Sequence, residues 1–289
     1  IWVADGVYTP DASDRSEFFE IGDGVSLYGG FNGTETQLSQ RDWFTNETIL
    51  SGDLSGNDNN NVSYTEATRS ENSYKVVFAN GDNVIIDGVI IEGGQANNTG
   101  TFGEERGSAI YMTSAATTFT LKNSTIRKNV SRVDGSVRAT FTGGSSNSVL
   151  IESCRFENNL SRYGSGLTST TSGNGTTSFE ILNSEFYNNR TANVAGSNSG
   201  LTGSSIALFA NDATVNAEII NNTFAYNKDY GTASGQDKGT VVLRRLNNNA
   251  SNVVNAEVHN NIFYQNEVSA GNVTTKAIGL MNRPSNPID

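Results

Sequence analysis

At 289 residues the chain is long enough for one large domain or two ordinary ones, and its 30 Gly and 38 Asn favour a turn-rich β fold over a helical bundle, because both residues are poor helix formers. A net charge of −11 and a sequence pI near 4.6 leave no basic stripe to neutralise phosphates, which argues against a nucleic-acid binder and against adhesion to an anionic membrane. No run approaches the roughly 18 apolar residues of a membrane span. The one cysteine, Cys154, excludes an intramolecular disulfide framework and a multi-cysteine zinc site.

Taken in chain order, Ile1-Trp2-Val3 starts as if in mid-strand, which points to a mature segment cut from a longer chain. Residues 1–60 are read as N-terminal coils and 61–289 as regular coils. Within the first part, Asp53-Leu-Ser55-Gly-Asn57-Asp58-Asn59-Asn60-Asn61 carries oxygen-bearing side chains at alternating positions. It departs from an EF-hand loop, with Asp58 where the sixth-position Gly belongs and Tyr64 at the twelfth. Asp53, Asn57 and Asp58 remain candidate ligands for a looser calcium site, against the default of an Asn/Asp-rich turn.

From Ile86 onward the sequence repeats. Leu121-Lys-Asn-Ser-Thr-Ile126-Arg-Lys-Asn129 aligns without gaps with segments ending at Asn159, Asn189, Asn227 and Asn266, and Ile86-to-Gly94 is a degenerate earlier copy. The anchors Ile91, Ile126, Phe156, Phe186, Phe224 and Phe263 lie 30 to 39 residues apart, the range of solenoid repeats. Short alternating runs precede each motif: Ser108-to-Thr113, Ser136-to-Thr142, Ser205-to-Phe209 and Thr240-to-Leu246. Second runs lead into it: Thr118-to-Leu121, Ser148-to-Ile151, Thr177-to-Leu182, Val215-to-Ile220 and Val253-to-Val258. About three short strands per repeat, stacked on their equivalents in the next, predict an all-β chain folded as a single parallel β-helix.

Such a stack explains the residue choices. Equivalent side chains line up at the strand spacing of roughly 4.7–4.9 Å. The Ile/Phe anchors form one inward column, and Leu121, Ile151, Ile181, Ile219 and Val258 form another. Asn129, Asn159, Asn189, Asn227 and Asn266 end each motif at a turn, as do Asn123, Asn183, Asn221 and Asn260. Their amides are expected to hydrogen-bond from coil to coil. Cys154 shares a column with Ser124, Ser184, Asn222 and Asn261 and reads as a small tolerated turn residue.

Candidate chemistry is sparse. Glu180, Glu218 and Glu257 stand six positions before successive anchors, which predicts three carboxylates stacked on an outward face. A solvated exterior is the plain reading, and a cation or substrate role the sharper one. Arg244 and Arg245 are adjacent on a predicted strand, so one must point inward or lie at a distorted edge. Lys228, Asp229, Asp237 and Lys238 precede them. His259, the only histidine, falls in an outward column with Lys122 and Glu152, and no Ser-His-Asp pattern accompanies it. Arg41-Asp42-Trp43 reads as a packing and ion-pair feature rather than a sugar platform. Inserts at Asn97-to-Arg106 and Thr191-to-Thr202 are candidate display loops. Asn-x-Ser/Thr sequons occur at Asn32, Asn46, Asn61, Asn159, Asn189 and Asn272, the fourth and fifth inside the expected ladder.

The sequence resembles secreted and cell-surface right-handed parallel β-helix proteins of Bacteroidetes-type bacteria, related in fold to pectate lyases. The residues that carry this are Ile1-to-Pro10, Val25-to-Thr36 with Tyr28-Gly29-Gly30-Phe31, Gln40-Arg41-Asp42-Trp43, Thr48-to-Leu54 and Asp87-to-Gly94. The resemblance implies a right-handed coil and an extracellular location, and it implies function only weakly, because this fold carries lyases, hydrolases, adhesins and stalks alike. The expected role is a non-catalytic surface module, an adhesin or stalk, with a polysaccharide or cell-surface glycan as partner. The alternatives are a polysaccharide lyase or glycoside hydrolase, and a filament subunit that contacts its neighbour end to end.

Overall fold

The computed structural model describes residues 1–101, 103–114, 117–192, 203–230, 239–247, 249–268 and 277–281. The predicted display loop at Thr191-to-Thr202 falls outside them from residue 193 on, as do Asp237, Lys238 and Asn272.

The chain is a parallel β-helix. One coil shows the plan: Val137–Phe141, Ser146–Glu152, Arg155–Glu157 and Leu160–Ser161 follow one another and then the next coil begins with Leu167–Ser172. Strands of the Ser146–Glu152 type form a first sheet of eight, running from Trp2–Ala4 to Val253–His259. The Arg155–Glu157 type forms a second sheet of eight, and the Val137–Phe141 type a third. The expected three strands per coil are joined by a fourth. Two-residue strands such as Val130–Ser131 and Leu160–Ser161 build a fourth sheet of six, which starts only at Gln95–Ala96. Among the described residues two 3₁₀ turns, Leu38–Gln40 and Ala67–Arg69, are the sole helical elements.

The core is the inward face of the first three sheets. Register is unbroken along the anchor column: Ile91 opposes Ile126, then Phe156, Phe186, Phe224 and Phe263. The four phenyl rings stack at 4.7, 4.9 and 4.8 Å with interplanar angles of 7°, 13° and 8°. Parallel stacking is enforced here by coil spacing, and offset ring pairs gain beyond their buried area. Leu121, Ile151, Ile181, Ile219 and Val258 are paired in register on the first sheet.

Two polar ladders close the corners. In the first, Asn129, Asn159, Asn189 and Asn227 are fully buried, and each side-chain oxygen accepts the backbone N–H of its predecessor in the column. Each Nδ2 donates to the carbonyl of the anchor one coil earlier: Ile91, Ile126, Phe156 and Phe186. The second ladder corrects the sequence assignment. Asn123, Asn183, Asn221 and Asn260 adopt φ of 47°, 51°, 59° and 57°, the left-handed region that Asn tolerates. The stacked bonds come from the following residues: Ser184 N donates to Asn222 Oδ1 at 2.9 Å, and Asn222 N to Asn261 Oδ1 at 2.8 Å. Cys154 belongs to this buried ladder, its thiol donating to the carbonyls of Glu152 and Leu121 at 3.3 and 3.4 Å.

The N-terminal coils are wound tightly. A Cβ on Gly29 would lie 2.4 Å from the Gly88 carbonyl, so only glycine fits where these coils meet. Between Thr48–Ser51 and Val77–Ala79 the chain leaves the coil and crosses the fourth sheet as a strap. Val62 packs with Val130 and Leu160, its carbonyl accepts from Arg190, and the Tyr64 hydroxyl donates to Ser131 O at 2.9 Å.

Candidate functional site

The predicted carboxylate column exists. Glu180, Glu218 and Glu257 are in register on the outer face of the first sheet, one strand spacing apart and exposed. Leu150 continues the column upstream, and no ion pair to these three occurs among the described residues. His259 is exposed beside Ile220. This is an open face.

Arg244 lies on the outer face of the third sheet, in a column with Phe209 and Thr170. Tyr163 meets Phe209 edge to face at 6.3 Å, and the charges of Arg162 and Arg244 counteract the burial that raises its hydroxyl pKa. Arg245 has inward parity but sits at the strand end, where it donates to Asn249 O at 3.2 Å; it is the edge residue of the pair. Lys228 pairs with Glu267 at 3.4 Å, and buried Asp229 accepts from Thr191 Oγ1 at 2.8 Å.

Sequence reasoning missed the network beside Arg244. Arg138, buried on the outer face of the third sheet, approaches Asp134 at 3.1 Å and donates to Thr170 Oγ1 at 3.0 Å. Arg106 bonds the same Asp134 at 2.7 Å and Glu105 at 3.0 Å, which places the predicted Asn97-to-Arg106 insert against this face. Burial lowers the pKa of both Arg138 and Lys75, the latter lying over Phe18, Tyr111 and Phe78 at 5.2, 5.6 and 5.9 Å. An Arg inside an otherwise alternating strand was the signal that could have located this network.

A cleft of about 380 Å³ opens on the second sheet. Trp43, Phe44, Glu47, Arg127, Arg155 and Glu157 are among the residues that line it. The Arg41-Asp42-Trp43 segment does pack as expected. Arg41 pairs with Asp87 at 2.8 Å and lies over Tyr28 and Trp43 at 5.2 and 4.8 Å. Asp42 accepts from the N–H groups of Phe44 and Thr45 and from Thr45 Oγ1, bonds that hold its carboxyl below the usual range and fix the turn. That turn presents Phe44, 84% exposed, with its ring 5.8 Å from Trp43 at 37°. The packing feature thus doubles as the support of an exposed Phe44 ring beside half-buried Trp43. Across the cleft, Arg127 is held by Glu92 at 2.5 Å, and Arg155 by Glu157 at 2.7 Å and Glu185 at 3.5 Å.

Of the calcium candidates, Asp53 and Asp58 come together and Asn57 does not join them with its side chain. Asn57 instead donates its backbone N–H to Asp53 Oδ1 at 3.1 Å, and Asp58 N donates to Asp53 Oδ2 at 2.9 Å. Glu71, which the sequence reading overlooked, completes the cluster, with one oxygen of each carboxylate within 4.8 Å of the others. Burial pushes Asp58 up to about 6, against the opposing pull of Arg69. Arg69, fully buried, bonds Asp58 at 2.7 Å, Gln95 Oε1 at 3.0 Å and the carbonyls of Gly94 and Lys128.

No family model matches the chain, and neither a curated protein nor a solved structure matches it. Fold and surface together define a parallel β-helix repeat protein with polar and aromatic features on its outer faces.

Proposed function

We propose that this chain is an exported cell-surface β-helix module that binds a neutral glycan in the cleft beside Trp43 and Phe44, without transforming it. The observation that carries the reading is the pairing of the exposed Phe44 ring, turn-anchored beside half-buried Trp43, with two ion-paired arginines that line the same open cleft. Sugar rings present apolar C–H faces that stack on aromatic rings, and their hydroxyls bond to fixed guanidinium and carboxylate groups. The net charge of −11 disfavours polyanionic chains. Export is what the resemblance to secreted bacterial β-helix proteins implies.

Affinity electrophoresis through gels cast with neutral polysaccharides tests this reading. Retardation should disappear in Trp43→Ala and Phe44→Ala. Turnover of a polysaccharide that is lost in Glu47→Gln or Glu157→Gln would replace it with the hydrolase reading.

A further inference from the structure

We propose that Asp53, Asp58, Glu71 and Asn72 form a calcium site that locks the strap over the fourth sheet. Three buried oxygens in this group, Asp58 Oδ1, Glu71 Oε1 and Asn72 Oδ1, have no hydrogen-bond partner. Asn72 is fully buried, and its amide orientation is fixed because Nδ2 donates to Asp58 Oδ2 at 2.9 Å and to Gly93 O at 2.5 Å. Its oxygen is therefore an acceptor with no donor, on a side chain bonded to the cluster. Buried acceptors are almost always satisfied in native proteins, by a protein donor, an ordered water or an ion, and here three stand on side chains that bring three carboxylates together.

The charge balance agrees. Asp53, Asp58 and Glu71 bring three carboxylates against one guanidinium, that of Arg69, which engages Asp58 through Oδ2 and leaves Oδ1 over. An all-oxygen donor set selects a hard cation, and ligands about 2.4 Å from Ca²⁺ stand at most about 4.8 Å apart, a limit that the three carboxylates stay within. With few protein oxygens the ion keeps water ligands, as in extracellular modules that bind at roughly 0.1–1 mM.

The location gives the site its consequence. Asp53 is at the root of the strap, and Glu71 and Asn72 are where it rejoins the coil. Between them Val62 and Tyr64 reach the fourth sheet, and Arg190 donates to Val62 across 128 residues of sequence. An ion bridging the two roots closes the strap as a loop.

The test is calorimetric titration of chelator-stripped protein with CaCl₂, paired with limited proteolysis. The expected result is one Ca²⁺ per chain, at least tenfold weaker binding in Glu71→Gln and in Asp53→Asn, and slower cleavage within residues 53–66 when Ca²⁺ is present. Among the described residues the Glu71 side chain makes no hydrogen bond or ion pair, so Glu71→Gln should fold normally, and Glu218→Gln on the first sheet should bind as the parent does. No binding by the parent protein up to about 10 mM, or binding that survives both site variants, would overturn the proposal and assign the three oxygens to ordered water alone.

Discussion

Asn159 Oδ1 accepts two bonds from Asn129, one from its backbone N–H at 3.1 Å and one from its side-chain Nδ2 at 3.2 Å. Asn159 in turn donates to Ile126 O and to Asn189 Oδ1 at 2.8 and 3.0 Å. One amide thus serves three coils in a place water does not reach. Asn159→Ala should cost about 3 kcal/mol or more, because it strands the Asn129 N–H and the Ile126 carbonyl. Asn183→Gly, at an exposed left-handed turn, should change stability by less than about 1 kcal/mol. Urea unfolding of the two variants side by side checks the contrast.

The phenyl column gives a second prediction. Phe186 is stacked between Phe156 and Phe224 and has no exposed surface. Phe186→Ala should lose about 3–5 kcal/mol and Phe186→Leu roughly 1 kcal/mol, read from denaturant midpoints. Since coils contact only their neighbours, the alanine variant should also broaden the transition.

These two columns were legible in the sequence because both residues recur at one place in a nine-residue motif, and the coil spacing turns that recurrence into contact. The fourth sheet was not legible. Pairs such as Val130–Ser131 and Lys228–Asp229 are too short and too varied to carry a period. The strap was hidden for another reason: contacts such as Arg190 to Val62 join distant segments, and neither partner belongs to a pattern. Of the calcium candidates, the two acidic members were found because they stand close in sequence, and Glu71 was missed because the chain must travel round a loop to bring it back.

The Cys154 thiol offers a pH test. Burial pushes it from its ordinary value of 9.0 up to about 12. The unfolded chain therefore releases this proton at lower pH than the folded one. Its contribution to stability is fully present below pH 9 and is lost as pH rises from about 9 to about 12. Native protein at pH 8 should resist iodoacetamide until it unfolds, and Cys154→Ser should flatten the alkaline part of the stability curve. Rapid native alkylation would show that the ladder opens readily.

The carboxylate column predicts an electrostatic gain. Glu218 stands between Glu180 and Glu257 on exposed strand positions. Glu218→Lys turns two repulsions into attractions and should stabilise by about 1 kcal/mol at low salt, fading toward zero near 1 M salt. Thermal melts at two salt concentrations decide it. Glycan binding should be unchanged.

The most direct test of the functional reading is isothermal titration of neutral oligosaccharides into the parent protein and a Trp43→Ala/Phe44→Ala variant, with reducing ends followed in the same samples. The account predicts saturable binding to the parent, none to the variant, and no new reducing ends in either. Binding that survives loss of both rings, or reducing ends that accumulate with the parent protein, would contradict it.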